Sequence, residues 1–284
     1  MKNLKLGIIG NGFVGKATNT GFKNNVESFI VDPKLNTSIT DLAKFDPEII
    51  FICVPTPMND DGTQDSSIIE QVYFELLKKI PNSIKVVKST VLPEILNKLS
   101  KHDENLIYNP EFLREKHAKE DFVNSKLIIF GGRKEISEKV SMAYKNHSNC
   151  KTVDHIFVDI LSASLIKYSI NTFLATKVIY FNELKDIFDS LDVNDSWQEF
   201  TKILSKDTRL GESHMDVPGH DGRNGFGGAC FPKDSLALMK FSSDLGLDMS
   251  VLRAAIKKNN YIRSQYEELD ERETEQNVSF DDKI

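Results

Sequence analysis

The sequence predicts an α/β fold in which a doubly wound parallel sheet is followed by a helical domain with one long central helix. Two patterns predict it. Over the first half of the chain, short apolar runs alternate with stretches of helical periodicity. From Asp159 to Phe188 the chain has neither glycine nor proline, and its apolar residues recur every three or four positions. That spacing is typical of one long helix.

Six apolar runs in the first half are the predicted strands. They are rich in Ile, Val and Phe and lack clean alternation with polar residues, as expected of strands buried on both faces of a parallel sheet. The runs occupy residues 4–9, 27–32, 48–54, 84–89, 105–109 and 126–132. Between them, segments 65–80 and 133–147 are long enough for crossover helices. We therefore expect a first domain over residues 1–153.

The remainder of the chain is predicted to be helical. After the long helix, helical patterns occupy residues 196–204 and the stretch from 234 to about 270, with a glycine-rich loop over 210–232 between them. This predicts a helical domain over residues 154–270. Residues 271–284 are acidic and poor in large apolar side chains, so we expect a frayed acidic tail there.

Composition limits the functional classes. A net charge of −6, with 27% charged residues of both signs, gives no basic surface for nucleic acid and no polybasic run for a membrane. We find neither the core of a signal peptide nor the roughly 20 apolar residues of a membrane span. Three widely spaced cysteines, Cys53, Cys150 and Cys230, argue against a disulfide framework and indicate the cytoplasm. No metal is expected.

A glycine turn follows the first predicted strand. Gly10, Gly12 and Gly15 have the spacing G-x-G-x-x-G, in which the glycines permit a tight turn, close approach of a pyrophosphate and close helix packing. Asp32 ends the second predicted strand, where an acidic side chain binds ribose hydroxyls and repels a 2′-phosphate. The pattern predicts a Rossmann-type domain that binds NAD in preference to NADP. The alternatives are an ordinary glycine turn and a turn residue before Pro33.

Cys230 lies in the segment GFGGACFPKD, residues 225–234. Glycines before it allow the backbone to bend around a ligand, while Pro232 and Asp234 are typical of a helix start. A thiol at a helix N-terminus near a lysine, here Lys233, has a lowered pKa and is a usable nucleophile. The alternative is a buried cysteine that acts as a small apolar residue.

This segment closely resembles the active-site loop of the UDP-glucose and GDP-mannose dehydrogenases. Other motifs of that family follow in its order: the glycine turn, VPTP at 54–57, KSTV at 88–91, NPEFLRE at 109–115, SLIKYSINTFLATKV at 164–178 and DTRLG at 207–211. The resemblance implies a four-electron, NAD-dependent oxidation of a sugar C6 alcohol through a thiohemiacetal and a thioester on Cys230. UDP-glucose is the expected substrate, with GDP-mannose as an alternative.

The resemblance also implies roles for individual residues. Cys230 is the nucleophile, Lys167 stabilises the oxyanion and Asn171 holds the substrate. Glu111 takes part in thioester hydrolysis, and Thr90 and Asp234 place a water. The implied cofactor residues are Gly10, Gly12, Phe13, Val14, Gly15, Asp32, Val54, Pro55, Thr56, Thr90, Glu115 and Lys233. The implied substrate residues are Glu111, Phe112, Leu113, Lys167, Asn171, Arg209, Gly227 and Cys230, with Arg209 reaching a neighbouring subunit.

Without the resemblance, each of these side chains has a plainer interpretation. Lys167 and the glutamates would be solvated surface charges, Thr90 a loop hydroxyl and Asp234 a helix cap. The long helix has too many apolar positions for one core-facing stripe, which predicts a homodimer.

The chain departs from the family pattern at its end. Family members continue into a third domain that helps to bind the nucleotide, so a short form lacking it is expected. Loop 213–225 is longer than in many members, and Arg223 in it is a candidate nucleotide contact. Two alternative functions stay open: a two-electron β-hydroxyacid dehydrogenase, which needs no cysteine, and a non-catalytic binder of NAD or nucleotide sugar.

Overall fold

The computed structural model describes residues 3–152 and 154–281, and the chain divides into two compact units. The first unit comprises the chain up to Thr56 together with Asp65–Lys167. The second comprises Pro57–Gln64 together with the chain from Tyr168 onward.

In the part of the first unit that the structure describes, seven strands form one sheet. They are β1 (Leu4–Ile9), β2 (Val26–Val31), β3 (Ile49–Ile52), β4 (Ile84–Val87), β5 (Leu106–Tyr108), β6 (Ile128–Gly131) and β7 (His155–Val158). Their order is β2-β1-β3-β4-β5-β6-β7. Neighbours are parallel, except that β5 and β6 pair antiparallel through Tyr108 and Gly131. The predicted doubly wound sheet is confirmed, with β7 as an additional strand.

Helices cover both faces of this sheet. They are α1 (Phe13–Gly21), α2 (Ile39–Phe45), α3 (Ser67–Lys79), α4 (Pro93–Ser100), α5 (Ala118–Val123) and α6 (Lys134–His147), with short 3-10 helices at Pro33–Leu35 and Glu115–His117. The inner strand β3 shows the arrangement: Ile50 and Ile52 belong to one apolar core, and Ile49 and Phe51 to the other. This two-sided burial explains why the strands lack alternation.

The strand order places a switch point at β1. From β1 the chain continues through α1 to β2 on one side, whereas β3 lies on the other side. In open α/β sheets, ligands bind outside the carboxyl ends of the strands at such a point. The glycine turn Gly10–Gly15 therefore occupies the expected place for a cofactor.

The first compact unit extends beyond the predicted boundary at residue 153 by about one strand and two helical turns. β7 and the start of α7 (Ile160–Ser190) belong to the first unit. A Cβ on Gly131 would lie 2.5 Å from the Cβ of Ala163, and the Ser164 hydroxyl donates to the Val91 carbonyl oxygen at 2.6 Å. The sequence pattern changes where the helix begins, whereas the unit ends where packing against the sheet ends.

The second unit is helical, as predicted. It contains the rest of α7, which has 31 residues, and α8 (Trp197–Leu204), α9 (Phe231–Asp244), α10 (Ser250–Arg263) and α11 (Glu271–Glu275). The helical stretch predicted from 234 to about 270 is two helices, because Gly246 takes a left-handed φ of +73° after α9. Among the described residues, no helix is long and apolar enough to cross a membrane.

Within the described residues, the segment expected to be a frayed tail is ordered instead. Asp270 caps α11 in a reciprocal capping box with Glu273, and Glu273 and Val278 are buried. The prediction relied on the scarcity of apolar side chains. The segment is instead ordered by hydrogen bonds and by the ion pair of Glu273 with Arg263, which composition does not reveal.

Candidate active site

The glycine turn of the first unit is shaped by steric needs at two positions. Gly10 has a φ of +94°, and a Cβ there would lie 2.5 Å from the Cys53 carbonyl oxygen. A Cβ on Gly15 would lie 1.9 Å from the Gly10 carbonyl oxygen. At Gly12, the N-cap of α1, no described atom lies within 4 Å of the place a Cβ would take. The backbone beside the first-turn amides of α1 is therefore open to a ligand. Free amides at a helix N-terminus are suited to binding a pyrophosphate.

Asp32 lies directly beside this turn. Its Oδ2 accepts a hydrogen bond from the Asn11 amide at 2.7 Å, and its Oδ1 accepts one from the Lys34 amide at 2.9 Å. The carboxylate therefore reaches the glycine turn, as a ribose-binding residue should. It also caps the 3-10 helix that begins at Pro33, so the plainer interpretation as a turn residue holds as well.

The loops after β3 and β4 are bonded to each other. The Thr56 hydroxyl donates to the Thr90 carbonyl oxygen at 3.0 Å, and the Ser89 hydroxyl donates to the Val54 carbonyl oxygen at 2.6 Å. These loops follow neighbouring parallel strands. The structure thus brings the predicted cofactor residues Val54, Thr56 and Thr90 to the same sheet edge as the glycine turn.

Glu111 and Lys167 form a buried pair in the first unit. The Lys167 ammonium donates to the Glu111 carbonyl oxygen at 2.7 Å and to its Oε1 at 3.3 Å. Glu111 Oε2 accepts from the Leu113 amide at 2.6 Å, and the ammonium lies 5.2 Å from the centre of the Phe112 ring. Neither charge is the solvated surface group of the plainer interpretation, because both side chains are buried.

A second lysine holds the same segment and was missed by the sequence reasoning. The buried Lys88 ammonium donates to the Asn109 side-chain oxygen at 2.9 Å and to the Asn109 carbonyl oxygen at 3.2 Å. Burial lowers its pKa to about 8. The signal was a lysine at the end of an apolar strand run, where a charge is costly unless it has partners.

In the second unit, Cys230 is the N-cap residue of α9, and the Asp234 amide donates to its carbonyl oxygen at 2.8 Å. Gly225 and Gly228 before it have φ values of +74°, so the bend that precedes the cysteine requires glycine. The predicted loop and helix start are therefore present. A Cβ on Gly227 would lie 1.6 Å from Nη2 of Arg263. The structure therefore requires glycine at this position to make room for the guanidinium, whether or not the residue contacts a substrate.

Asp234 is the centre of a buried polar group. Its Oδ2 accepts from the Asn171 side-chain amide at 2.6 Å, and its Oδ1 accepts from the Lys233 ammonium at 2.5 Å. All three residues are buried. Lys233 therefore has a carboxylate partner, which weakens the argument that its charge acts on the Cys230 thiol. The arrangement holds a carboxylate one helical turn from a cysteine, as general acid–base chemistry at a thiol adduct needs.

Three predicted residues lie apart from these groups. Arg209 is exposed and pairs with Asp207 in its own loop, and Glu115 is exposed in a 3-10 helix. Arg223, the candidate nucleotide contact, donates to the Glu268 carbonyl oxygen at 2.6 Å and lies over the Tyr266 ring. Its partners thus give it a structural task within the second unit.

Two family profiles match the chain. The profile described as "UDP-glucose/GDP-mannose dehydrogenase family, NAD binding domain" matches residues 20–148. The profile of the central domain of the same family matches residues 161–261. The glycine turn lies just before the first match. Because the first profile describes an NAD binding domain, the cofactor of the first unit is NAD.

Individual proteins are similar as well. The chain is 32% identical over 219 residues to a UDP-glucose 6-dehydrogenase of Rickettsia felis, covering 75% of this chain and 47% of the relative. It thus spans about half the length of the curated relatives it matches. A UDP-glucose dehydrogenase structure from Pyrobaculum islandicum superposes with a TM-score of 0.76 at 27% identity, covering 91% of this chain and 68% of that chain. Mycobacterium tuberculosis 3-hydroxyisobutyrate dehydrogenase shares the fold, with a TM-score of 0.68 at 15% identity and coverage of 98% and 97%.

Proposed function

The chain belongs to the UDP-glucose/GDP-mannose dehydrogenase family, and we propose that it oxidises the C6 alcohol of a nucleotide sugar to a carboxylate. UDP-glucose is the proposed substrate and UDP-glucuronate the product. One observation carries the proposal: Cys230 begins α9, and one turn further on the buried Asp234 is held by Asn171 and Lys233. A two-electron dehydrogenase has no need of a cysteine there.

The overall reaction removes two hydrides, so one alcohol, one water and two NAD⁺ yield one carboxylate, two NADH and three protons. When bound, NAD would supply the hydride acceptor for each oxidation. The open turn at Gly12 and the Asp32 carboxylate are the residues that would hold its pyrophosphate and ribose.

Cys230 retains the intermediate between the two oxidations. Its thiolate adds to the C6 aldehyde, forming a carbon–sulfur bond and an oxyanion that takes a proton. Loss of the second hydride and of the hydroxyl proton then turns the adduct into a thioester. Water then attacks the acyl carbon, the carbon–sulfur bond breaks, and the thiolate is restored. This sequence keeps a reactive aldehyde from leaving the enzyme.

The other residues serve charge and proton transfer. Lys167 supplies a positive charge to the oxyanion, and its contacts with Glu111 fix its position. Asp234 and Glu111 are the carboxylates that accept a proton from the hydrolytic water, and Thr90 places that water. Phe112 and Leu113 line the sugar, and Arg209 reaches the substrate of a neighbouring subunit.

The proposal is tested by stoichiometry with a panel of nucleotide sugars and with NAD and NADP. We expect two NADH per uronate formed from UDP-glucose, and loss of uronate production in Cys230→Ser. One NADH per product and an active Cys230→Ala variant would favour the β-hydroxyacid dehydrogenase, whose fold is similar. Absence of turnover on every sugar would favour a non-catalytic binder. Higher kcat/KM for GDP-mannose would change the substrate assignment.

The proposal includes a homodimer. Phe173, Tyr180 and Ile187 of α7 are 68%, 60% and 58% exposed, and a seven-residue spacing places them along one face of the helix. A second copy of this chain is the proposed occupant of that face. Light scattering should give the mass of a dimer for the wild type and of a monomer for Phe173→Glu with Tyr180→Glu. A monomeric wild type would remove this part of the proposal.

A further inference from the structure

Residues 266–278, here called the C-terminal clasp, follow the region that the central-domain profile matches, which ends at residue 261. The clasp contains α11 and lies in the second unit. It contacts the loop that carries Cys230 through one buried side chain, that of Glu273. The clasp, which contacts the loop of the proposed nucleophile, therefore lies outside the residues that the family profile matches.

The Glu273 carboxylate is fully buried and fully bonded. Its Oε1 accepts from the Gly228 amide at 2.9 Å and from Nη2 of Arg263 at 2.9 Å, and its Oε2 accepts from the Asp270 amide at 2.9 Å. Burial acts to raise the pKa of Glu273, but these amides and the Arg263 charge hold it below its usual value. The group is thus an anion throughout the neutral range, and Gly228 lies two residues before Cys230.

Arg263 also holds the Glu273 carboxylate in place. Its guanidinium is also buried, and Nη1 donates to Asp221 Oδ2 at 2.7 Å. The guanidinium occupies the space left by the missing side chain of Gly227. Because both partners of the ion pair are buried, the pair holds one geometry more firmly than an exposed pair would.

The clasp also bonds the start of the cysteine loop and a further segment of the same unit. The Tyr266 hydroxyl accepts from the Asn224 amide at 2.9 Å, at the start of the cysteine loop. The Gln276 carbonyl oxygen accepts from the Met58 amide at 3.0 Å, in the loop Pro57–Gln64. Glu273 is thus the buried centre of a set of contacts between segments distant in sequence.

We propose that Glu273 is a positioning residue for Cys230, which fixes the Gly228 backbone so that the cysteine is held at the start of α9. The proposal has two parts: Glu273 holds the backbone of the loop in place, and this position of the loop is needed for turnover. Only the second part rests on the proposed function.

Amide hydrogen exchange tests the first effect without any substrate. In Glu273→Ala, the amides of residues 225–230 should exchange at least tenfold faster than in the wild type, because the anchor of Gly228 is lost. Glu273→Gln retains an oxygen acceptor and should keep most of the protection. The matched control is Glu275→Ala on the same helix, whose exposed carboxylate pairs with Arg272; its exchange should equal the wild type. Unchanged exchange in Glu273→Ala overturns the proposal.

Turnover tests the second effect. We expect kcat of Glu273→Ala to fall about tenfold or more, with KM for NAD unchanged and with recovery in Glu273→Gln. A loss of protection without a loss of kcat would make the clasp purely structural and overturn the positioning role. If Glu273→Ala does not fold, Asp270→Ala, which removes the α11 cap, should show the same pair of effects. A wild type inactive on every sugar would defeat the proposed function, while the exchange result would still decide whether the clasp holds the loop.

Discussion

The Lys167 ammonium donates to the main-chain oxygen of Glu111 at 2.7 Å and to its carboxylate at 3.3 Å. The two side chains are only 4% and 7% exposed. A lysine near the end of the first unit therefore fixes both the backbone and the side chain of a glutamate in the loop after β5. Such a buried pair is costly to break from one side, because the remaining charge has no partner.

A double-mutant cycle should expose this coupling. Lys167→Met and Glu111→Gln should each lower the free energy of unfolding by about 3 kcal/mol, and the double variant should lose at least about 1 kcal/mol less than their sum. Urea denaturation of the wild type, the two single variants and the double variant measures these free energies of unfolding. The control cycle is Lys185 with Asp189, a pair on the same helix whose side chains are 21% and 57% exposed, which should show coupling below about 1 kcal/mol. Additive losses at Lys167 and Glu111 would contradict the prediction.

Asp234→Asn should lower kcat by about a hundredfold or more, because the amide cannot accept a proton. The change also leaves the buried Lys233 ammonium without its carboxylate partner, so the melting temperature should fall as well, and kcat is compared at a temperature where the variant is folded. Asp244→Asn, at the exposed end of the same helix α9, is the control and should keep the wild-type kcat. Steady-state NADH formation with UDP-glucose measures both; equal activity of the two variants would exclude a role in proton transfer.

Asp32→Ala should raise KM for NAD roughly tenfold, because a charged acceptor for the ribose hydroxyls is lost. The ratio of kcat/KM for NADP to that for NAD should rise, since the repulsion of a 2′-phosphate disappears. Glu27→Ala, an exposed residue on β2, the strand that precedes Asp32, should leave both constants unchanged. Initial rates with the two cofactors decide the matter, and an unchanged preference would show that Asp32 serves only as a turn residue.

Lys88 should make stability depend on pH in the alkaline range. Burial lowers its pKa from 10.5 to about 8 in the folded protein. Between these values the unfolded state binds more protons, so the free energy of unfolding attributable to Lys88 rises with pH; below pH 8 both states are charged and the full cost of burial is present. The rise amounts to roughly 3 kcal/mol.

The comparison with Lys88→Met isolates this contribution. The nearby Cys53 thiol, whose pKa is raised by burial to about 12, acts in the opposite direction, but it is present in both proteins. Urea denaturation at several pH values should therefore show the wild type gaining on the variant as the pH rises from 8 towards 10.5. A difference that does not vary with pH would mean that Lys88 titrates normally.

Several features could be predicted because they depend on local patterns. The strand runs, the glycine turn and the helix that follows it are fixed by burial on both faces and by backbone conformation. Asp32 is an example. Its distance along the chain from the glycine turn predicted that its side chain lies beside that turn, and the structure shows that it also caps the next 3-10 helix.

Other features needed contacts between distant residues. Strand β7 was missed because it has only four residues, none of them buried, and lies directly before the pattern of the long helix. Lys88 was not singled out within the motif KSTV, because its partners Asn109 and Tyr144 come from later parts of the chain. Lys233 was assigned to the thiol by proximity in sequence, whereas its ammonium bonds Asp234.

By itself, the sequence determined the class of fold, the cofactor turn, the long helix and the loop that presents Cys230, since each follows from periodicity or from glycine at a position that tolerates nothing else. Only the tertiary structure decided that Glu111 pairs with Lys167, that Asp234 is held by Asn171, and that an acidic C-terminal segment is ordered around Glu273. The physical reason is that a buried charge is stable only with a specific partner. Which partner it meets depends on how the chain folds back on itself.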